Sequence, residues 1–156
     1  MPADYRVSRT IRIEAPAAAV YPHLADLRRW VDWSPWEGEE PLLEREYGGP
    51  RRGVGSSYSW SGNSDAGRVR ITRADRPRRL DLDLHFEKPF PANNQIRFDL
   101  DPESGGAACV VTWTMTGRHR GLMRAWALVL PIDRMVGKDF EQGLSTLKEQ
   151  VEHAEG

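Results

Sequence analysis

Apolar residues recur along this 156-residue chain with two different periods, and the switch between them marks the elements. Near the C-terminal end, Ile132, Met135, Val136, Phe140, Leu144, Leu147 and Val151 fall mostly three and four residues apart, which predicts a helix over Pro131–His153 with one apolar stripe. Between them stand Asp133, Lys138, Glu141, Gln142, Ser145, Lys148, Glu149 and Glu152, so this helix lies on the surface of something larger. Gly137 and Gly143 lower helix propensity by roughly 1 kcal/mol each against alanine, which predicts a close backbone approach to a neighbour at those two positions. The inner face of the stripe either docks the helix or also forms one wall of a ligand cavity.

Elsewhere the period is two. Tyr5–Ala15 alternates, with Tyr5, Val7, Arg9, Ile11 and Ile13 on one side, and predicts a half-buried strand that ends at Pro16. Ala17–Leu27 predicts a short helix with Val20, Leu24 and Leu27 inward, interrupted or limited by Pro22; a helical turn over Arg28–Trp33 follows and stops at Ser34-Pro35. Six further strands are expected: Leu42–Tyr47, Val54–Trp60, Arg68–Ala74, Arg79–Glu87, Asn94–Asp101 and Cys109–Gly117. Their inward sets are Val54, Ser56, Tyr58 and Trp60; Val69 and Ile71; Leu80, Leu82, Leu84 and Phe86; Ile96, Phe98 and Leu100; and Cys109, Val111, Trp113 and Met115. Short turns between successive strands imply an antiparallel meander with one apolar face. The order strand, two small helices, six strands, long helix predicts an α+β protein of the helix-grip type, in which a curved seven-stranded antiparallel sheet wraps a long C-terminal helix. Gly53, Gly55, Gly62 and Gly67 suit bends or bulges in such a sheet.

Composition narrows the class. A hydrophobic share of 39% with 29% charged residues describes one globular domain over 1–156, with no linker or repeat. The net charge of −1 gives no overall attraction to nucleic acid or acidic lipid. Cys109 is the single cysteine, so no internal disulfide forms; together with a start that lacks the apolar stretch of a signal peptide, this predicts a cytoplasmic location.

Several stretches together resemble the START-like superfamily, also called SRPBCC, and within it the polyketide cyclase/dehydrase-like branch. They are Ile13-Glu14-Ala15-Pro16 with Val20-Tyr21, Trp30-Val31-Asp32-Trp33-Ser34-Pro35-Trp36, Gly53-Val54-Gly55 with Tyr58-Ser59-Trp60-Ser61-Gly62 and Gly67, and Asp139-Phe140-Glu141-Gln142-Gly143-Leu144 with Leu147-Lys148. The resemblance implies a deep cavity between sheet and C-terminal helix, used by different members for lipids, sterols, polyketides, quinones or other apolar molecules. It implies no single reaction and no shared catalytic set.

The residues expected to line such a cavity are Trp33, Trp36, Tyr58, Trp60, Leu82, Leu84, Phe86, Phe98, Trp113, Met115, Met135, Val136 and Phe140. Large aromatics with a polar N–H suit a mostly apolar pocket wall, although the same residues also suit plain core. His23, His85, His119 and His153 form no spaced metal set, and no metal or other cofactor is expected. Cys109 has no nucleophile signature, and Ser56, Ser57, Ser59 and Ser61 lack the strand-to-helix elbow of a hydrolase. Arg68, Arg70, Arg73, Arg76, Arg78 and Arg79 concentrate positive charge, but Asp81 and Asp83 follow at once, which predicts an ion-paired outer sheet face and not a nucleic-acid surface. Gly121–Pro131 is almost wholly apolar and too short to span a bilayer; it is an early part of the long helix, a flap, a dimer contact or an interfacial patch. The expected partner is a small hydrophobic ligand, with no nucleic acid, no stable membrane insertion, and a monomeric or homodimeric chain. The expected function is non-catalytic binding of a lipid, polyketide or quinone-like molecule. Two alternatives stand beside it: an aromatase/cyclase, for which the inward positions offer Tyr58 and Arg9, and a protein- or membrane-interacting stress module.

Overall fold

The period-two segments form seven antiparallel strands, β1 Tyr5–Ile13, β2 Glu44–Gly48, β3 Ser57–Ser61, β4 Ala66–Asp75, β5 Arg79–Lys88, β6 Ala92–Glu103 and β7 Ala108–Gly117, in the sheet order β1-β7-β6-β5-β4-β3-β2. The computed structural model describes residues 5–34, 44–62, 66–88, 92–117 and 132–155. Between β1 and β2 come helix α1, Ala17–Ala25, and a 3₁₀ turn, Leu27–Asp32; helix α2, Ile132–Glu155, closes the chain. This is the helix-grip architecture, with a curved antiparallel sheet around the C-terminal helix.

Register aligns the inward residues into rows across the sheet. One row runs Ile71, Leu82, Ile96, Met115, Val7, and the next Leu80, Phe98, Trp113, Arg9. Apart from Arg9 these side chains are buried. The helix stripe meets them where Phe140 stacks on Trp113, with ring centroids 3.9 Å apart and planes 7° from parallel. Leu144, Leu147 and Val151 continue the seam. The far end of α2 is tied to the end of β1, where Lys148 Nζ donates to the Arg12 carbonyl at 3.0 Å and Glu14 N–H donates to Glu152 Oε2 at 2.9 Å.

Three local expectations change. Helix α1 runs unbroken through Pro22: the ring removes one donor, yet the next turn closes when Asp26 N–H reaches the Pro22 carbonyl at 3.1 Å, and the helix stops there. Val54 does not lie on the inner face but is 59% exposed. Gly53 and Gly55 adopt φ of +81° and +93°, which breaks the extended run, and β3 begins only at Ser57. The β4 glycine Gly67 stands at a register shift, as a bulge in a curling sheet requires. Leu42, Trp36 and Gly121–Pro131 lie outside the described residues, as do the side chains of Ile132 and Met135.

Candidate ligand-binding site

The inner-face aromatics separate into two groups. In the first, Trp33, Trp113, Phe98 and Phe140 pack as one cluster; Trp33 meets Trp113 at 5.5 Å and Phe98 at 6.1 Å. Trp30 joins it at 5.2 Å from Trp33. Both indoles of the 3₁₀ turn region donate to carbonyls in the last turn of α1, Trp30 Nε1 to Leu24 at 2.8 Å and Trp33 Nε1 to His23 at 3.0 Å. Helix-end carbonyls have no intrahelical partner, so these bonds serve both groups. Trp33 is thus 2% exposed and part of the floor beneath the helix. Leu82, Leu84 and Met115 are buried in the same floor.

The second group lies on the β2–β5 wing. Tyr47 and Tyr58 face each other at 5.1 Å, Tyr58 and Trp60 stack at 5.8 Å, and Trp60 meets Phe86 edge-on at 5.9 Å. The Arg28 guanidinium covers the Tyr47 ring at 4.6 Å. Trp60, Phe86 and Tyr47 are only partly buried, as is Val136 of α2, whereas Tyr58 is buried. Gly67 sets this geometry: a Cβ there would come within 2.7 Å of Trp60 Cζ2 and 2.5 Å of the His85 carbonyl. The six-membered ring of the indole therefore packs against bare backbone at Gly67.

Polar groups on this face were only partly anticipated. Asn94 lies in the row Tyr47, Tyr58, Val69, Leu84, Asn94, Gly117 and is buried; Arg45 stands opposite Trp60. The parity of Asn94 with Ile96 carried that signal, but asparagine at a strand end reads as a boundary. Arg9 lies against α2, bonded to the Ser8 carbonyl at 2.8 Å and paired with Glu141 at 3.4 Å. It occupies the space that Gly137 leaves, since a Cβ at Gly137 would strike the guanidinium. The predicted close neighbour of Gly137 is therefore this side chain.

The outer face carries the ion pairs expected of it. Asp81 takes two bonds from Arg79, at 3.0 and 2.8 Å, and lies 3.5 Å from Arg97. Burial acts to raise the Asp81 carboxyl, but the Arg79 hydrogen bonds and the surrounding guanidinium charge outweigh it and leave the pKa below the ordinary carboxylate value. A groove of about 410 Å³ on this face includes Arg6 and Arg97 but also Asp81 and Asp99, so its charges cancel. His85 Nδ1 lies 2.6 Å from Asn93 Oδ1 on the same face. Among the described residues no group of three or more His, Cys, Asp or Glu is placed to hold a metal ion. Cys109 is buried, and burial first, then Asp101, pushes its thiol pKa up.

His23 gives a pH dependence that can be tested. Burial, then the charge of Arg29, lowers its pKa from the ordinary 6.5. The folded chain thus binds fewer protons than the unfolded chain below that value, and the stability contributed by neutral His23 is complete above pH 6.5 and lost as pH falls toward the lower folded pKa. The unfolding midpoint is expected to drop between about pH 7 and about pH 5, and less steeply in His23→Gln. Equal slopes in the two proteins would remove His23 as the cause.

Among solved structures the chain is similar to the TTHA0849 protein of Thermus thermophilus, at a TM-score of 0.70 and 20% identity over 97% of this chain and 100% of that one. It is similar to the Aha1 dimer of Colwellia psychrerythraea, at 0.67 and 16% over 97% and 99% of the two chains. A third is DynU16, a protein of the dynemicin biosynthetic locus, at 0.67 and 16%, where the alignment covers 96% of this chain and 48% of that one. A comparison with curated protein sequences gives no match. Among the described residues no helix is long and apolar enough to cross a membrane. The profile of the family described as polyketide cyclase / dehydrase and lipid transport matches residues 4–152, and with the helix-grip sheet, the C-terminal helix and the aromatic inner face in place, the chain belongs to that family, in the START-like (SRPBCC) group.

Proposed function

We propose that the chain binds a small hydrophobic, flat ligand, a lipid, polyketide or quinone-like molecule, between the β2–β5 wing and α2, without covalent chemistry of its own. The observation that carries this reading is the run of ring contacts Tyr47, Tyr58, Trp60, Phe86, of which Tyr47, Trp60 and Phe86 are only partly buried although they point to the same side of the sheet as the fully buried Phe98 and Trp113. Half-covered aromatic rings on a rigid sheet offer a flat ligand large contact area at little conformational cost. Phe98, Trp113 and Phe140 form the floor, Trp33, Leu82, Leu84 and Met115 support it, and Tyr58, Trp60, Phe86 and Val136 touch ligand. The family description, which joins polyketides and lipids, and the biosynthetic locus of DynU16 agree with that chemistry. The chain acts in the cytoplasm as a monomer or a homodimer.

Native mass spectrometry and tryptophan fluorescence with a set of lipids, quinones and polycyclic aromatics test the reading. At least one planar compound is expected to bind, and Trp60→Ala is expected to weaken it about tenfold or more, in keeping with the loss of a central aromatic contact. Absence of binding across the set, or an unchanged affinity in Trp60→Ala, would count against it. A cyclase reading is favoured by one observation, the buried Asn94 with Arg45 on the inner face, which adds hydrogen-bonding groups to Tyr58 and Arg9. Conversion of a poly-ketone substrate by the purified chain would replace the binding reading with it.

A further inference from the structure

The net charge of −1 conceals a local excess at one pole of the molecule. Asp26, fully buried at the end of α1, is approached by Arg51 at 3.3 Å, Arg29 at 3.8 Å and Arg52 at 3.9 Å. Next to it opens a cleft of about 220 Å³, with Tyr21, Pro22, Ala25 and Ala74 as an apolar floor and Arg52 and Arg76 among its lining residues. The Tyr21 hydroxyl is engaged elsewhere, since it donates to the Arg79 carbonyl at 3.3 Å. Arg52 comes from the turn between β2 and β3 and Arg76 from the turn between β4 and β5; Gly55 N–H to the Ile71 carbonyl and Ile71 N–H to the Ser56 carbonyl, both 2.9 Å, hold the first turn against β4. Gly53 also lines the cleft, and a Cβ there would meet nothing within 4 Å, so this side stays open.

Charge and size together define an occupant. Arg29, Arg51 and Arg52 share one carboxylate, Asp26, while Arg76 has no ion pair among the described residues and neighbouring Asp75 is bonded to Arg73 at 2.6 Å. An apolar floor beside surplus guanidinium groups matches an amphiphilic anion: the apolar body displaces water from the floor, and the carboxylate accepts charge-assisted hydrogen bonds in the fork geometry that arginine presents. The volume lies below the 300 Å³ or so at which drug-sized sites begin, which limits the occupant to about ten non-hydrogen atoms. We infer that this cleft is a binding site for a small aromatic or short-chain carboxylate, separate from the inner-face site. Asp26 holds Arg51 and Arg52 in place as a positioning residue and is not itself a contact.

Titration of the ¹⁵N-labelled full chain with benzoate, and with benzyl alcohol as its neutral counterpart, tests the inference. Benzoate is expected to shift the amides of Tyr21, Ala25, Gly53 and Ala74, and benzyl alcohol to bind about tenfold more weakly. Arg76→Gln is expected to weaken benzoate by a similar factor while leaving thermal unfolding unchanged, since Arg76 is exposed and has no ion pair among the described residues. Ala74→Leu, checked for folding by circular dichroism, should abolish the shifts by filling the floor. Equal binding of the acid and the alcohol, shifts centred on Trp60 and Phe86, shifts that survive in folded Ala74→Leu, or no response at the cleft would each overturn it.

Discussion

Phe140→Ala is expected to lower the stability of the fold by about 4 kcal/mol, the range found when a large aromatic is removed from a packed core. For a domain of this size such a loss moves the thermal midpoint down by roughly 12 °C. The size of the effect follows from position. Phe140 is fully buried and is the point at which the α2 stripe stacks flat on Trp113, itself in contact with Trp33 and Phe98. Truncation leaves a void lined by rings that the sheet and the 3₁₀ turn hold apart, so the site cannot collapse to fill it. Phe140→Leu keeps most of the volume and should lose about 1.5 kcal/mol or less. Urea unfolding followed by tryptophan fluorescence measures both. A loss under about 1 kcal/mol for the alanine variant would show that the helix is held to the sheet chiefly by Leu144, Leu147 and Val151.

Asp26→Ala is expected to destabilise by about 3 kcal/mol, the sum of a lost N-terminal cap and a lost charge-assisted hydrogen bond. Asp26 Oδ1 accepts from Arg28 N–H at 3.1 Å and so caps the 3₁₀ turn, while Oδ2 accepts from Arg51 Nε at 3.3 Å. The carboxylate therefore joins the turn that carries Trp30 and Trp33 to the loop after β2. Its arginine partners are largely exposed and regain water when it is removed, which keeps the loss below that of a fully buried pair. Asp26→Asn retains a cap acceptor without the charge and should lose about half as much. Near-ultraviolet circular dichroism is the second readout, since a loosened turn frees the two indoles. If asparagine and alanine were both neutral, the carboxylate would be incidental to the corner.

Periodicity made the sheet legible wherever one face was buried. In β5 the alternation of Leu80, Leu82 and Leu84 with polar residues maps onto buried and more exposed sides, whereas in β7 the pattern is blurred because Ala108 and Thr114 on the other side are buried too. It misled at Val54, where alternation continues through two glycines whose left-handed φ angles end any extended run. The inward polar residues were harder to see. Asn94 shares its parity with Ile96, yet what makes it an inner-face group is its pairing with Leu84 and Gly117. The placement of Trp33, expected at the end of a helical turn, depends on a longer-range contact: its indole turns under the helix, where the carbonyl of His23 is within reach.

The amino-acid order by itself determined the element sequence, the inward face of each long strand, the helix stripe and the absence of a spaced metal or nucleophile motif, because each of these depends on neighbours within a few residues. Only the tertiary structure decided that the aromatics divide between a closed floor and a half-covered wall, that Arg9 fills the gap at Gly137, and that Arg51 and Arg52 meet Asp26 beside an apolar cleft. Those outcomes depend on strand register and on the docking of distant turns. A contact between residues 25 apart is invisible to any local period.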